Sequence, residues 1–226
     1  MRITKKAKLM ASLDKAKNYT FSDAIEALRQ FVSKKFDETL EIAISLGIDP
    51  AKADQNIRGM ISLPHGIGKK VRIAVFTRDK QPEAKKAGAD IVGDADLIEK
   101  VEKGFLDFDR VLATPEAMPM MAKIAKVLGP KGLMPNPKLG TVSADIADAI
   151  EKTKAGQIEY RAEKAGVVHA GIGKMSFSTD KLVQNAEALI DALKKAKPAS
   201  VKGQYIKEIF LSTTQGAGLR IDFSSK

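Results

Sequence analysis

The chain has 226 residues, a formal charge of +10 and 44% hydrophobic residues, with no cysteine, no tryptophan and 5% aromatics. That hydrophobic share fills proper cores and excludes disorder throughout, and zero cysteines exclude disulfides and thiolate chemistry. The positive charge predicts attraction to nucleic acid or an anionic membrane, whereas so few aromatics argue against broad stacking platforms for single-stranded bases.

The first residues carry Arg2, Lys5, Lys6 and Lys8 and meet no acid before Asp14. They read as a basic arm or, equally, as a solvated helix face. The start has no apolar core of signal-peptide length, and no run of about 18 apolar residues occurs anywhere, so a soluble cytoplasmic protein is expected. Thr20 to Asp23 supplies a helix N-cap, and Ile25, Leu28, Phe31 and Val32 follow at helical spacing, predicting a helix to about Lys35. Thr39 to Leu46 alternates, with Leu40, Ile42, Ile44 and Leu46 on one face, as a half-buried strand does. Arg58 to Leu63 reads as a second strand, ended by Pro64-His65-Gly66-Ile67-Gly68.

From Lys69 short strands and helices alternate. Val71–Phe76 is an apolar strand followed by a helix-like PEAKKAG; then come a strand at Asp90–Val92, a helix from Asp94 to Lys103, a strand at Arg110–Ala113, a Met-rich helix from Glu116 to Leu128, and a helix from Ala144 to Lys154. Such alternation implies parallel strands covered on both faces, a small doubly wound α/β domain. After Gly156 longer alternating strands return at Gln157–Arg161 and Val167–Lys174. An amphipathic helix spans Thr179–Lys195. Strands at Tyr205–Thr213 and Leu219–Phe223 are joined by Thr214-Gln215-Gly216-Ala217-Gly218, a hairpin connection. The simplest account is an insertion: an α+β outer domain with an antiparallel sheet, from residues 1–67 plus 160–226, holding an inserted α/β domain at 68–159. Two consecutive domains with a break near Gly156 is the alternative. The glycines at the two crossings, Gly66, Gly68 and Gly156, predict a hinge.

Between the Met-rich helix and Ala144 stands VLGPKGLMPNPKLGTV, Val127 to Val142, with three prolines and three glycines. It reads as a long exposed loop, and Lys123, Lys126, Lys131 and Lys138 surround it with no acid between Glu116 and Asp145. The outer pieces hold 22 basic against 14 acidic residues, the middle 16 against 14. The outer domain is therefore the expected polyanion site, and the loop at Lys131, Gly132 and Lys138 a secondary contact. The densest basic run is Lys194, Lys195, Lys197, Lys202 and Lys207, which a solvated helix face also explains.

Catalytic signatures are missing. Two histidines and no cysteine build no zinc site of the usual spacing, and no phosphate-binding Gly-rich motif, dinucleotide fingerprint or nucleophile elbow occurs. No catalytic residue, metal site or cofactor is expected. Met118, Met120 and Met121 read as core filler, His65 as a turn residue, and Lys35-Phe36 as a helix end beside a buried ring or a contact. A phosphate-substrate enzyme using Pro130-Lys131-Gly132 and a non-specific basic scaffold are the competing functional readings.

Leu46-Gly47-Ile48-Asp49, Asp54-Gln55-Asn56-Ile57-Arg58-Gly59, Leu63-Pro64-His65-Gly66, Ala87-Gly88-Ala89-Asp90 and, above all, Leu128 to Lys138 form a long ordered motif set along almost the whole chain. In these the chain resembles the family of the large-subunit ribosomal protein numbered one, which forms the mobile stalk beside the tRNA exit site. The resemblance implies an outer α+β domain with an inserted Rossmann-like domain that binds no dinucleotide. It implies binding to large-subunit ribosomal RNA, help in releasing exit-site tRNA, repression of its own operon by binding messenger RNA, no membrane partner, and a monomer off the ribosome. The RNA surface so implied falls on Lys35, Phe36, Thr39, Arg161, Glu163, His169, Lys174, Ser212, Thr213, Thr214, Gln215 and Gly216. Two departures touch it: Gln215 stands where the family usually has Met, and Ala162-Glu163 replaces an Asn-Asp pair.

Overall fold

The computed structural model describes residues 10, 13, 14, 17–33 and 35–223, with the side chains of residues 53 and 138 excepted. The basic arm at Arg2, Lys5, Lys6 and Lys8 lies outside the described residues. In chain order the elements begin with α1 (Phe21–Arg29), β1 (Thr39–Leu46) and β2 (Arg58–Ser62). Next come β3 (Ile73–Phe76), α2 (Gln81–Lys86), β4 (Ile91–Gly93), α3 (Ala95–Glu102) and β5 (Arg110–Ala113). The short α4 (Met118–Met121) and α5 (Ala125–Leu128) precede α6 (Ile146–Lys154) and β6 (Gln157–Arg161). The chain closes with β7 (Val167–Lys174), α7 (Thr179–Lys195), β8 (Ile206–Thr213) and β9 (Leu219–Ile221). Helices and strands are thus mixed, and the chain divides into two compact units, Met1–Gly68 with Ile158–Lys226, and Lys69–Gln157.

The first unit is built on an antiparallel sheet in the order β7-β1-β8-β9. Alternation along β1 sends Leu40, Ile42, Ile44 and Leu46 into a core shared with Ile25 and Leu28 of α1 and Leu182, Ala186, Leu189 and Leu193 of α7. The β2–β6 pair adds Ile158 and Tyr160 to the same core. Helix α1 starts where expected, because the Thr20 hydroxyl accepts the Asp23 N–H at 3.1 Å. It stops at Arg29, short of the predicted end at Lys35. The apolar pattern continues, but the Ser33 N–H is taken by Glu38 Oε1 at 2.8 Å, which turns the chain toward β1 instead of extending the helix. Buried Asn185 of α7 holds the 65–66 turn: its amide donates to the carbonyls of Gly66 (2.9 Å) and Ile172 (2.7 Å), and its oxygen accepts the His65 N–H.

In the second unit, strands β4-β3-β5 form a parallel sheet. All four residues of β3 are fully buried: Ile73 and Val75 pack with α2 and α6, and Ala74 and Phe76 with α3 and the 117–128 run. Burial on both faces is why this strand reads as an unbroken apolar run. The predicted continuous Met-rich helix is instead a string of short turns, with a 3₁₀ segment at Pro115–Ala117 before α4 and another at Ala122–Ile124 between α4 and α5. Pro119 has no N–H to donate, and i→i−3 bonds from Met118 and Ala125 tighten the turns on either side. The stretch 127–142 is likewise no long exposed loop. Leu128, Leu139 and Thr141 are buried, and the Thr141 hydroxyl accepts the Asn136 N–H at 2.7 Å and donates to its carbonyl at 3.1 Å. Val142 bridges Ala113 at the edge of β5, so prolines and glycines here shape a folded turn on the sheet.

Gly66, Gly68 and Gly156 hold φ of 63°, 69° and 95°, a region that favours glycine. At Gly68 a side chain would also lie 2.9 Å from the Phe177 ring, so glycine is required there by space as well. In the second unit, the Asp109 carboxylate accepts Lys69 Nζ at 2.7 Å and the Arg72 N–H at 3.1 Å. The Lys69 hydrogen bond, then the Arg72 amide, hold its pKa below the ordinary 3.8. A depressed carboxyl stabilises the fold above its unfolded pKa and loses that contribution as pH falls through the folded value. Asp109→Asn is therefore expected to cost under about 1 kcal/mol near neutral pH, since the pair is partly solvated, and nothing once pH is below the depressed value. Thermal melts at the two pH values check this.

Candidate nucleic-acid interface

Three segments of the first unit meet at one end of the antiparallel sheet: the turn at 35–38, the β8–β9 hairpin and the end of β7. Register brings them together, with Thr39 opposite Lys174 and Leu40 opposite Thr213. Thr39 and Thr214 lock across the sheet end, the Thr39 N–H donating to Thr214 Oγ1 at 3.0 Å and the Thr214 N–H to the Thr39 carbonyl at 3.1 Å. Lys174 Nζ donates to Thr39 Oγ1 at 2.9 Å and to the Asp37 carbonyl at 3.1 Å. The Asp37 carboxylate takes the Ser176 hydroxyl at 2.6 Å and the Ser176 N–H at 3.2 Å. In the hairpin, the Gly216 N–H returns to the Thr213 carbonyl, and a side chain at 216 would collide with Thr213 Oγ1.

Glu38 lies at the centre of this knot with no exposed surface. Its carboxylate accepts the Ser33 N–H at 2.8 Å and the Gln215 N–H at 3.3 Å, while its carbonyl accepts the Met175 N–H at 2.9 Å. One buried residue thus fastens all three segments. Around it the outer surface presents Lys35, the Phe36 ring at 43% exposure, the Thr214 hydroxyl and the Gln215 side chain. Phe36 is therefore not the buried ring that a helix end would bury. Gln215 is positioned by its backbone and its amide is left outward.

The structure gathers Lys35, Phe36, Thr39, Lys174 and Ser212 to Gly216, and separates Arg161, Glu163 and His169 from them. His169 pairs with Ala43 in mid-sheet, and the Glu163–Gly166 turn sits against Leu46, at the other end of β1. His169 Nε2 is 3.9 Å from Glu163 Oε2 with both side chains mostly solvated, a pair of little energetic weight. Between the two groups runs the sheet face opposite the helices, carrying Glu41, Ala43, Phe210, Ser212 and Arg220, the last paired with Glu208 at 2.9 Å. Ser212 belongs to the sequence-based site, whereas Glu38, Asp37, Glu41, Ala43, Phe210 and Arg220 are absent from it. The alternation that buries Leu40 and Ile42 also turns Thr39 and Glu41 outward, so the face is readable from period two. Glu38 has no such signal, because its burial comes from the knot.

In the second unit Lys131 and Gly132 are exposed, with Lys123 and Lys126 nearby in sequence, the former exposed and the latter on the short α5. None of these three lysines pairs with a carboxylate among the described residues. The side chain of Lys138 lies outside the described residues. No helix of the described residues is long and apolar enough to cross a membrane.

Hydroxyls, an exposed ring and scattered cations on a hydrogen-bonded sheet end suit a ligand read by shape, 2′-hydroxyls and phosphates. Residues 28–217 match the model of the Ribosomal protein L1p/L10e family. That span is most of the 226 residues, and the chain belongs to this family of ribosomal proteins, structural and non-enzymatic constituents that bind ribosomal RNA.

Proposed function

We propose that the unit Met1–Gly68 with Ile158–Lys226 is the RNA-binding domain, that it docks one folded segment of large-subunit ribosomal RNA on the Phe36–Thr214 sheet end, and that Lys69–Gln157 is an inserted Rossmann-like domain adding weaker phosphate contacts at Lys131, Gly132 and Lys138. Arg161, Glu163 and His169 extend the contact along the sheet. The observation that carries this reading is the fully buried Glu38 knot two residues from an exposed ring, because a backbone tied by a buried, hydrogen-bonded carboxyl group holds one shape outward. With it go the finer parts of the reading: a mobile stalk that helps release exit-site tRNA by motion about Gly66, Gly68 and Gly156, repression of its own operon through messenger RNA, a monomer off the ribosome, and a cytoplasmic setting.

The test is a binding titration of the full chain with the folded ribosomal RNA segment and with an unrelated folded RNA of equal length, repeated across salt concentrations. Affinity for both falls with salt, and the cognate segment stays tighter by about a thousandfold or more at physiological salt. Equal affinity for the two at that salt sinks the reading.

A further inference from the structure

The basic run at the end of α7 and just beyond it has no part in the sheet-end site, and the structure gives it a definite shape. Lys194 and Lys197 line a cleft of about 260 Å³ with Gly203, Gln204, Tyr205, Ile206 and Phe223. Lys194 Nζ stands 5.3 Å from the centre of the Phe223 ring, and Lys197 Nζ 6.0 Å from that of Tyr205. Among the described residues neither lysine pairs with a carboxylate. The nearby acids Glu187, Asp191 and Asp222 line an adjoining cleft that shares Lys194 and Phe223 with this one. Lys207 lies close by, since its Cε and the Gln204 carbonyl both flank Gly47. Tyr205 is buried at the back of the cleft, and burial pushes its phenol pKa up to about 12.

The cleft is remote from the Phe36–Thr214 end. The Gly47 N–H donates to the Tyr205 carbonyl and Leu46 pairs with Ile206, whereas the sheet-end site is at Thr39. The run of β1 between them amounts to roughly 23 Å.

We infer that this cleft is a separate site for a nucleoside phosphate within single-stranded RNA, its phosphate between Lys194 and Lys197 and its base against the half-buried Phe223 ring, with buried Tyr205 as the floor. Two ammonium groups alone would take any anion; the ring-lined wall favours one that carries a flat apolar body. The volume is below that of an ordinary small-molecule pocket and limits the site to a single base, which agrees with a chain too poor in aromatics for an extended stacking surface. The inference rests on the reading of the chain as RNA-binding but uses a different surface, so the two fail independently.

The experiment measures binding of a short unstructured oligoribonucleotide to the full chain by fluorescence anisotropy at low salt. Lys194→Gln with Lys197→Gln is compared with Lys85→Gln with Lys86→Gln, which removes equal charge from α2 in the other unit. The cleft pair is expected to weaken the oligonucleotide about fivefold or more, against under about twofold for the control pair. Phe223→Leu keeps both charges and is expected to cost about threefold through the lost ring. A free nucleoside monophosphate competes, and inorganic phosphate at equal concentration does not. Equal loss for the two lysine pairs overturns the site. Competition by inorganic phosphate with a silent Phe223→Leu overturns the nucleoside assignment. Binding of the folded ribosomal segment by Phe36→Ala, measured in parallel, reports on the sheet-end site alone.

Discussion

Replacing Glu38 by glutamine is expected to weaken binding of the folded ribosomal RNA about tenfold or more, although Glu38 has no surface from which to touch RNA. Among its partners, Oε1 accepts the Ser33 N–H and Oε2 the Gln215 N–H. Glutamine keeps one acceptor oxygen and places an NH₂ against the other amide, so a part-buried donor loses its partner. That costs about 1–3 kcal/mol. The loss falls on the two segments that carry Phe36 and Thr214, and the knot loosens where the RNA is read. A thermal melt accompanies the titration. If Glu38→Gln lowers Tm but leaves cognate affinity per folded molecule unchanged, the knot is structural only and its link to recognition is refuted. The variant's affinity for unrelated RNA is a second readout, expected to stay within about twofold because phosphate attraction does not depend on the knot.

The second large effect separates specificity from attraction. Phe36→Ala removes a ring that is 43% exposed, so stability is expected to change by no more than about 0.5 kcal/mol. Cognate RNA binding is expected to fall by about 1–3 kcal/mol, the range for loss of a stacked base. Lys131→Ala with Lys138→Ala, in the second unit, is expected to act differently. It weakens cognate and unrelated RNA alike and lowers the slope of log affinity against log salt by about 0.7 to 0.9 for each phosphate no longer neutralised. Titrations of both variants on both RNAs at several salt concentrations distinguish the two patterns. A larger loss of cognate preference from the lysine pair than from Phe36→Ala reverses the proposed division of labour.

Periodicity decides which parts of this protein are legible in sequence. Strand β1 is readable residue by residue because one face is buried and the other wet, and α7 because a single stripe of Leu182, Ala186, Leu189 and Leu193 meets the core. The strands after Gly156 are readable for the same reason. Local pattern misleads where it meets a competing bond. The apolar spacing of Phe31 and Val32 continues α1 on paper, but the Glu38 carboxylate captures the Ser33 amide and ends it. The Met-rich run has helical composition, and Pro119 divides it. The segment rich in proline and glycine reads as exposed because those residues are breakers; it is folded because Leu128, Leu139 and Thr141 find burial against the parallel sheet, a partner that single-chain periodicity does not reveal.

The site divides in the same way. Amino-acid order alone determined the basic balance, the outward face of β1, the hairpin at Thr214 to Gly218 and, through a long ordered motif set, the family. These are local or additive properties that survive without coordinates. Tertiary structure alone decided that Thr39 and Thr214, 175 residues apart in the chain, exchange hydrogen bonds. It also decided that Arg161 and Glu163 lie at the far end of the sheet, that the Phe36 ring stands outward, and that Glu38 is buried. Strand register places those groups, and register follows from which buried faces pair across the whole unit, so no window of sequence around any one of them contains the answer.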